Sequence, residues 1–180
     1  MRVTRHAYTV EGWGVGELWE ADGRVVVAHE PPTQPLATQL LTAPRGTPGV
    51  PTETLSEKSR PDRHGFVPEL LQRIHSFFGG EREDFADVAL DLDECTPFQR
   101  AVAEALRRLP WGEVASYGEI AALAGYARAG RAVGTFCAHN RYFLIILCHR
   151  VVSSDGIGSY GSLGISYKRR LLRLEGNADL

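Results

Sequence analysis

Two capping boxes constrain how the second half of this 180-residue chain folds. Thr96-Pro97-Phe98-Gln99 and Ser116-Tyr117-Gly118-Glu119 each place a hydroxyl three residues ahead of an amide or carboxylate. The hydroxyl accepts from the backbone N–H of the fourth residue, whose side chain reaches back to the first N–H. Pro97 occupies the first helical position, where its missing N–H has no intrahelical partner to lose. Phe98, Val102, Ala105, Leu106 and Leu109 mark the buried stripe of that helix, and Pro110 closes it. The second box opens a short helix that stops at Gly125, and a third helix is predicted from Ala129 to about Ala138. Two short helices joined by a tight turn containing Gly125 form a helix-turn-helix unit. The third would be its recognition helix. A last helix is predicted over Ile165 to Leu174.

The first half has a different texture. HAYTV, VGELWEA and RVVVAHE are strand-like, and Asp22-Gly23 marks a hairpin turn between the last two. Pro31 to Arg63 is rich in Pro, Thr, Gly and Ser and reads mostly as loop. Val67, Leu70, Leu71, Ile74, Phe77 and Phe78 recur at helical spacing until Gly79-Gly80. Asp87 to Leu92 is expected to form another strand. The chain thus divides into an α+β unit over residues 1–93 and a mostly helical one over 94–180.

Charge separates along the same line. Residues 1–92 hold 9 Lys and Arg against 14 Asp and Glu, a net of -5. Residues 107–173 hold 10 against 3, a net of +7. That segment points to an anionic partner, although a solvated basic surface has the same signature. Ala127-Arg128-Ala129-Gly130-Arg131-Ala132 alternates small residues with arginines at the start of the third helix. Small residues let a backbone approach phosphates, and arginines supply charge. Helix packing uses small residues in the same way, so spacing leaves both readings open. No apolar run approaches the length of a membrane span, and MRVTRHAYTV lacks the apolar stretch of a signal peptide. Cys95, Cys137 and Cys148 are odd in number and lack CxxC spacing. Their pattern fits a reducing, cytoplasmic setting.

The chemistry gathers around Cys148. Leu144-Ile145-Ile146-Leu147 is wholly apolar and reads as a buried strand delivering Cys148-His149-Arg150. An adjacent His and Arg are two means of lowering a thiol pKa, and the thiolate is the nucleophile. A buried structural cysteine beside a surface His-Arg pair would have the same sequence. Glu175 ends a helix, where a carboxylate opposes the macrodipole. Orienting His149 would give it another task.

TPFQRAVAEAL, WGEVASYGEIAALAG, RAVG, AHN, CHRVVSSDGIGSYG and LLRLEG occur in this order over residues 96–176. In this the chain resembles the O6-alkylguanine-DNA alkyltransferases, or methylated-DNA-protein-cysteine methyltransferases. SFFGGE and ALDLDE extend the likeness more weakly into the N-terminal part. The resemblance implies a ribonuclease-H-like α/β unit followed by a winged-helix-like domain with a helix-turn-helix. It implies Cys148 as alkyl acceptor, His149 as the base acting through a water, and Glu175 as the residue holding His149. Asn140 would tie the turn before the acceptor, and Tyr117 would assist protonation of the leaving guanine. Arg131 would enter the base stack when the nucleotide is flipped out, with Arg128, Ser116 and Tyr117 also at the DNA. Phe143, Leu147, Val151, Tyr160 and Gly161 would form the substrate pocket. The implied partner is double-stranded DNA containing alkylated guanine, met by a monomer needing neither cofactor nor membrane.

The chain departs from that family at Leu147, where a proline usually precedes the cysteine. Arg141, Tyr142 and Phe143 stand in a loop that commonly carries prolines. Cys95 and Cys137 are also unusual and read as small core residues. Some relatives bind zinc through the N-terminal part. No cysteine precedes Cys95 here, so no metal is expected, and His6, His29, His64 and His75 read as ordinary histidines. Two other readings compete. A non-catalytic alkyltransferase-like lesion sensor would replace the acceptor cysteine. A Cys-His hydrolase would need an oxyanion hole that nothing in the sequence announces.

Overall fold

A computed structural model describes residues 2–33 and 65–180. Strands β1 (Val3–Val10), β2 (Gly14–Ala21) and β3 (Val25–Thr33) form an antiparallel sheet in that order. Asp22 and Gly23 both take positive φ, 52° and 70°, which matches the twist of a tight hairpin. β3 runs on through Pro31 and Pro32, so the expected loop begins later. Its residues 34–63, like His64, lie outside the described residues. Prolines fit there because β3 is an edge of this sheet.

Helix α1 (Phe66–Phe78) turns Leu70, Ile74, Phe77 and Phe78 inward. Asp87–Leu92 does not form the expected strand. It makes a single parallel bridge, Val26 to Leu90, with Val26 N donating to Ala89 O and Asp91 N to Val26 O. The surrounding residues are turns, because Asp84 and Asp91 side chains accept from the backbone N–H two residues on.

Both capping boxes are formed. Thr96 opens α2 (Pro97–Arg107) and Ser116 opens α3 (Tyr117–Leu123), each with reciprocal bonds to its partner three residues on. Helix α4 (Gly130–Ala138) follows, with Val133 as its buried residue. Gly125 takes φ 83° in the connection. A Cβ on Gly130 would stand 3.4 Å from Gly118 N, so this small residue serves the crossing of α3 and α4. Two short strands, β4 (Ala115–Ser116) and β5 (Val151–Val152), pair in parallel. Helix α5 (Gly164–Leu174) ends the fold and buries Lys168, Leu171 and Leu172.

Leu144–Leu147 is buried as expected but is not a strand. Leu144 has φ 66°, and Ile145 N, Ile146 N and Cys148 N donate to Phe143 O, Tyr142 O and Ile146 O. Local turns satisfy this backbone, so an apolar run needs no ladder partner to be buried. One cluster of buried side chains joins the two halves, from Tyr8, Trp13 and Phe77 to Val102, Ile120 and Leu171. The architecture is mixed α and β, a small antiparallel sheet with helices.

Candidate active site

A 3-10 turn, Cys148–Arg150, carries the three residues of the chemical motif into the interior. Cys148 is 6 % exposed, His149 0 % and Arg150 2 %. His149 Nε2 lies 2.8 Å from Glu175 Oε1. A carboxylate accepts only, so Nε2 carries the proton and Nδ1 is left with its lone pair. Nδ1 has no hydrogen-bond partner among the described residues. The Phe77 and His149 rings pack in a T-shaped pair with centroids 6.0 Å apart, tying α1 to the site.

Arg150 does not turn toward the thiol. Its Nε donates to Glu175 Oε2 at 2.9 Å and its Nη2 to Oε1 at 2.9 Å, while Nη1 donates to Leu109 O. Glu175 therefore gathers an imidazole and a guanidinium. Burial works to raise its carboxyl, but its contacts with His149, then those with the Arg150 guanidinium, hold it below the ordinary value. Burial lowers His149, with Glu175 opposing, so the ring is neutral near neutral pH.

The expectation that neighbouring His and Arg lower the Cys148 pKa is not met. Burial pushes the thiol well up, and the nearby Cys137 thiol adds to this. The groups that favour the thiolate are Asn140 and Lys168. Asn140 Nδ2 donates to Cys148 Sγ at 3.2 Å and to Ile146 O at 3.1 Å, and its Oδ1 accepts from Tyr142 N. One amide thus fixes the turn and presents a donor to sulfur. Lys168 is fully buried, its Nζ donating to Val151 O, Ile157 O and Ser159 O at 2.5, 2.6 and 3.3 Å. Burial lowers it to about 8, with the two thiols opposing.

A cavity of about 120 Å³ opens onto Cys148. Tyr117, Cys137, Asn140, Phe143, Tyr160 and Gly161 stand around it. Leu147 and Val151 are buried and do not line it. The β4–β5 pairing explains how Tyr117 arrives, because it sets the start of α3 beside the segment that follows Cys148. Burial raises the Tyr117 hydroxyl, opposed by a hydrogen bond with Ser159, so it keeps its proton near neutral pH. Ser116 is engaged as the cap of α3. Arg131 on α4 and Arg128, at φ 73° just before it, are exposed.

Sequence reasoning missed Lys168, which stands among Arg169 and Arg170 and reads as surface charge. It took Cys137 for packing, although that thiol shares the cavity with Cys148. Among the described residues no group of three or more His, Cys, Asp or Glu is placed to hold a metal ion. None of their helices is long and apolar enough to cross a membrane.

Comparison with known proteins places this geometry in a family. Residues 97–177 match the model of the 6-O-methylguanine DNA methyltransferase DNA-binding domain. A methylated-DNA–protein-cysteine methyltransferase of Metallosphaera sedula is 39% identical over 122 residues, covering 68% of this chain and 75% of that protein. Its counterpart in Mycobacterium bovis is 41% identical over 128 residues, covering 67% and 76%. The fold is similar to that of Mycobacterium tuberculosis OGT, solved in complex with DNA. The TM-score is 0.67 at 32% identity, over 95% of this chain and 91% of that one. The chain therefore belongs to the family of methylated-DNA–protein-cysteine methyltransferases.

Proposed function

We propose that this protein repairs DNA by taking an alkyl group from O6 of a guanine in a duplex onto Sγ of Cys148, once per molecule. One observation carries the reading: Cys148 lines an open cavity, with an Asn140 donor on its sulfur and, next to it in the chain, a His149 paired with Glu175. The alkylated oxygen is inside the duplex, so the nucleotide is flipped into that cavity before reaction. His149 takes the thiol proton at Nδ1 through a water. Sulfur then attacks the alkyl carbon, and the carbon–oxygen bond breaks toward guanine. Tyr117, which holds its proton near neutral pH, donates toward the departing base. Glu175 fixes the imidazole tautomer and stabilises the imidazolium that forms. No cofactor enters this displacement. The thioether product has no group beside it able to cleave it, which makes the protein a stoichiometric reagent.

Arg131 fills the gap left in the base stack, and Arg128 and the Ser116–Tyr117 turn sit at the backbone. Phe143, Tyr160 and Gly161 wall the pocket, with Leu147 and Val151 behind them. On this reading residues 1–93 form a ribonuclease-H-like support and 94–180 a winged-helix-like unit, acting as a monomer. The test is incubation with a duplex containing O6-methylguanine, followed by intact and peptide mass measurement. One added methyl group on Cys148, and none after Cys148→Ser, is expected. An adduct on Cys95 or Cys137, or more than one turnover per protein, overturns the reading.

A further inference from the structure

We propose that His29, on the N-terminal sheet, is the positioning residue that holds the outer wall of the reaction pocket and limits the size of group that reaches Cys148. The inference rests on Cys148 being the acceptor. His29 is 1 % exposed on β3. Its ring Nδ1 is 2.5 Å from Phe143 O, and Tyr8 Oη is 2.6 Å from its Nε2. A carbonyl accepts only, so Nδ1 carries the proton and Tyr8 donates to Nε2. The backbone of His29 is committed to the same loop: its N donates to Arg141 O at 2.8 Å, and its O accepts from Phe143 N at 3.2 Å. Three of the four polar groups of this one residue are therefore spent on residues 141–143. The fourth is fixed by Tyr8.

What they hold is the pocket wall. Phe143 lines the cavity with Cys148 and Tyr160. Its ring meets those of His29, Tyr160 and Tyr167 at centroid distances of 5.9, 6.2 and 5.9 Å. A loop with a non-glycine residue at positive φ, Leu144, resists such a position unless its neighbours determine it. The sheet supplies that determination from outside the helical half. Removing the ring of His29 lets Phe143 swing away and widens the pocket. A large alkyl group gains more from this than a methyl group.

Single-turnover rates with O6-methylguanine in duplex DNA and with O6-benzylguanine test this in wild type, His29→Leu, His29→Asn and Tyr8→Phe. The benzyl-to-methyl rate ratio should rise by about tenfold in His29→Leu, the scale of a lost pocket contact. It should rise less in Tyr8→Phe. It should stay near wild type in His29→Asn, whose amide can replace the Nδ1 donor. Labelling of the Cys148 peptide with iodoacetamide and its N-benzyl analogue should show the same preference without any repair chemistry. That arm separates failure of the wall from failure of the acceptor reading. If His29→Leu does not fold, Tyr8→Phe carries the comparison. Ratios equal to wild type in His29→Leu or Tyr8→Phe, with both rates falling together, would reduce His29 to a packing residue and overturn the proposal.

Discussion

Around Cys148 the neighbours in space outweigh the neighbours in sequence. His149 and Arg150 are committed to Glu175, while Asn140 donates to the sulfur and the Lys168 charge favours its thiolate. Removing one partner from a buried ion group leaves the others uncompensated, at a cost of about 3–5 kcal/mol. Glu175→Gln should therefore lower the urea midpoint strongly. It should also slow methyl transfer by roughly 100-fold, the scale of a general-base contribution. Unfolding curves and quenched-flow transfer at one pH check both, and an unchanged rate in a folded variant would remove Glu175 from the reaction. Lys168→Met withdraws a cation that favours the thiolate. Iodoacetamide labelling of Cys148 should then need higher pH, as read from the labelling rate of its peptide across a pH series. The His149–Glu175 pairing was legible because a carboxylate at a helix C-terminus opposes the dipole and needs another reason to be there. Lys168 was illegible because a lysine in a basic helix has no pattern that separates a buried ammonium from a solvated one.

At the scale of elements, local signals were read well and long-range ones poorly. The capping boxes at Thr96 and Ser116 are complete chemical units, so sequence alone placed α2 and α3. The β4–β5 pairing joins residues far apart in the chain, and no periodicity announces strands of two residues. The apolar run before Cys148 showed burial but not conformation, since a buried turn and a buried strand share that composition. The two departures in this loop now separate. Leu147 has φ -76°, close to the value a proline fixes. Phe143, by contrast, uses its N–H to donate to His29 O. Leu147→Pro should be tolerated, because restricting the unfolded chain, worth up to about 1 kcal/mol, offsets part of what the smaller buried side chain loses. Phe143→Pro should cost about 3–5 kcal/mol or more, because a buried ring is lost and the His29 carbonyl loses its donor inside the core. Chemical denaturation of the two variants side by side decides this, and equal effects would count against the pairing of the loop with β3.

Across the whole molecule, one core cluster makes the sheet part of the site, because Phe77 backs His149 and His29 ties the loop at Phe143. The charge split was visible in the sequence, but this mechanical coupling was not, since it depends on buried polar contacts that leave no mark on composition. It has a consequence for acid stability. Burial lowers His29 from 6.5 to about 4, with its bond to Phe143 O opposing. As pH falls, the unfolded chain takes up this proton before the folded one does. The stabilisation is therefore complete above about pH 6.5 and is lost progressively toward pH 4. At pH 5 the loss from this one ring is about 2 kcal/mol, given roughly 1.4 kcal/mol for each unit of difference. His149, also lowered, acts in the same direction. Glu175, held below the ordinary carboxylate value, adds its loss only at lower pH. Urea unfolding at pH 7.5 and pH 5 should thus show wild type losing more stability than His29→Asn, which has no proton to take up there. Parallel losses in the two proteins would mean that His29 is already protonated in the fold, and that the ring does not hold Phe143 as a neutral donor–acceptor bridge.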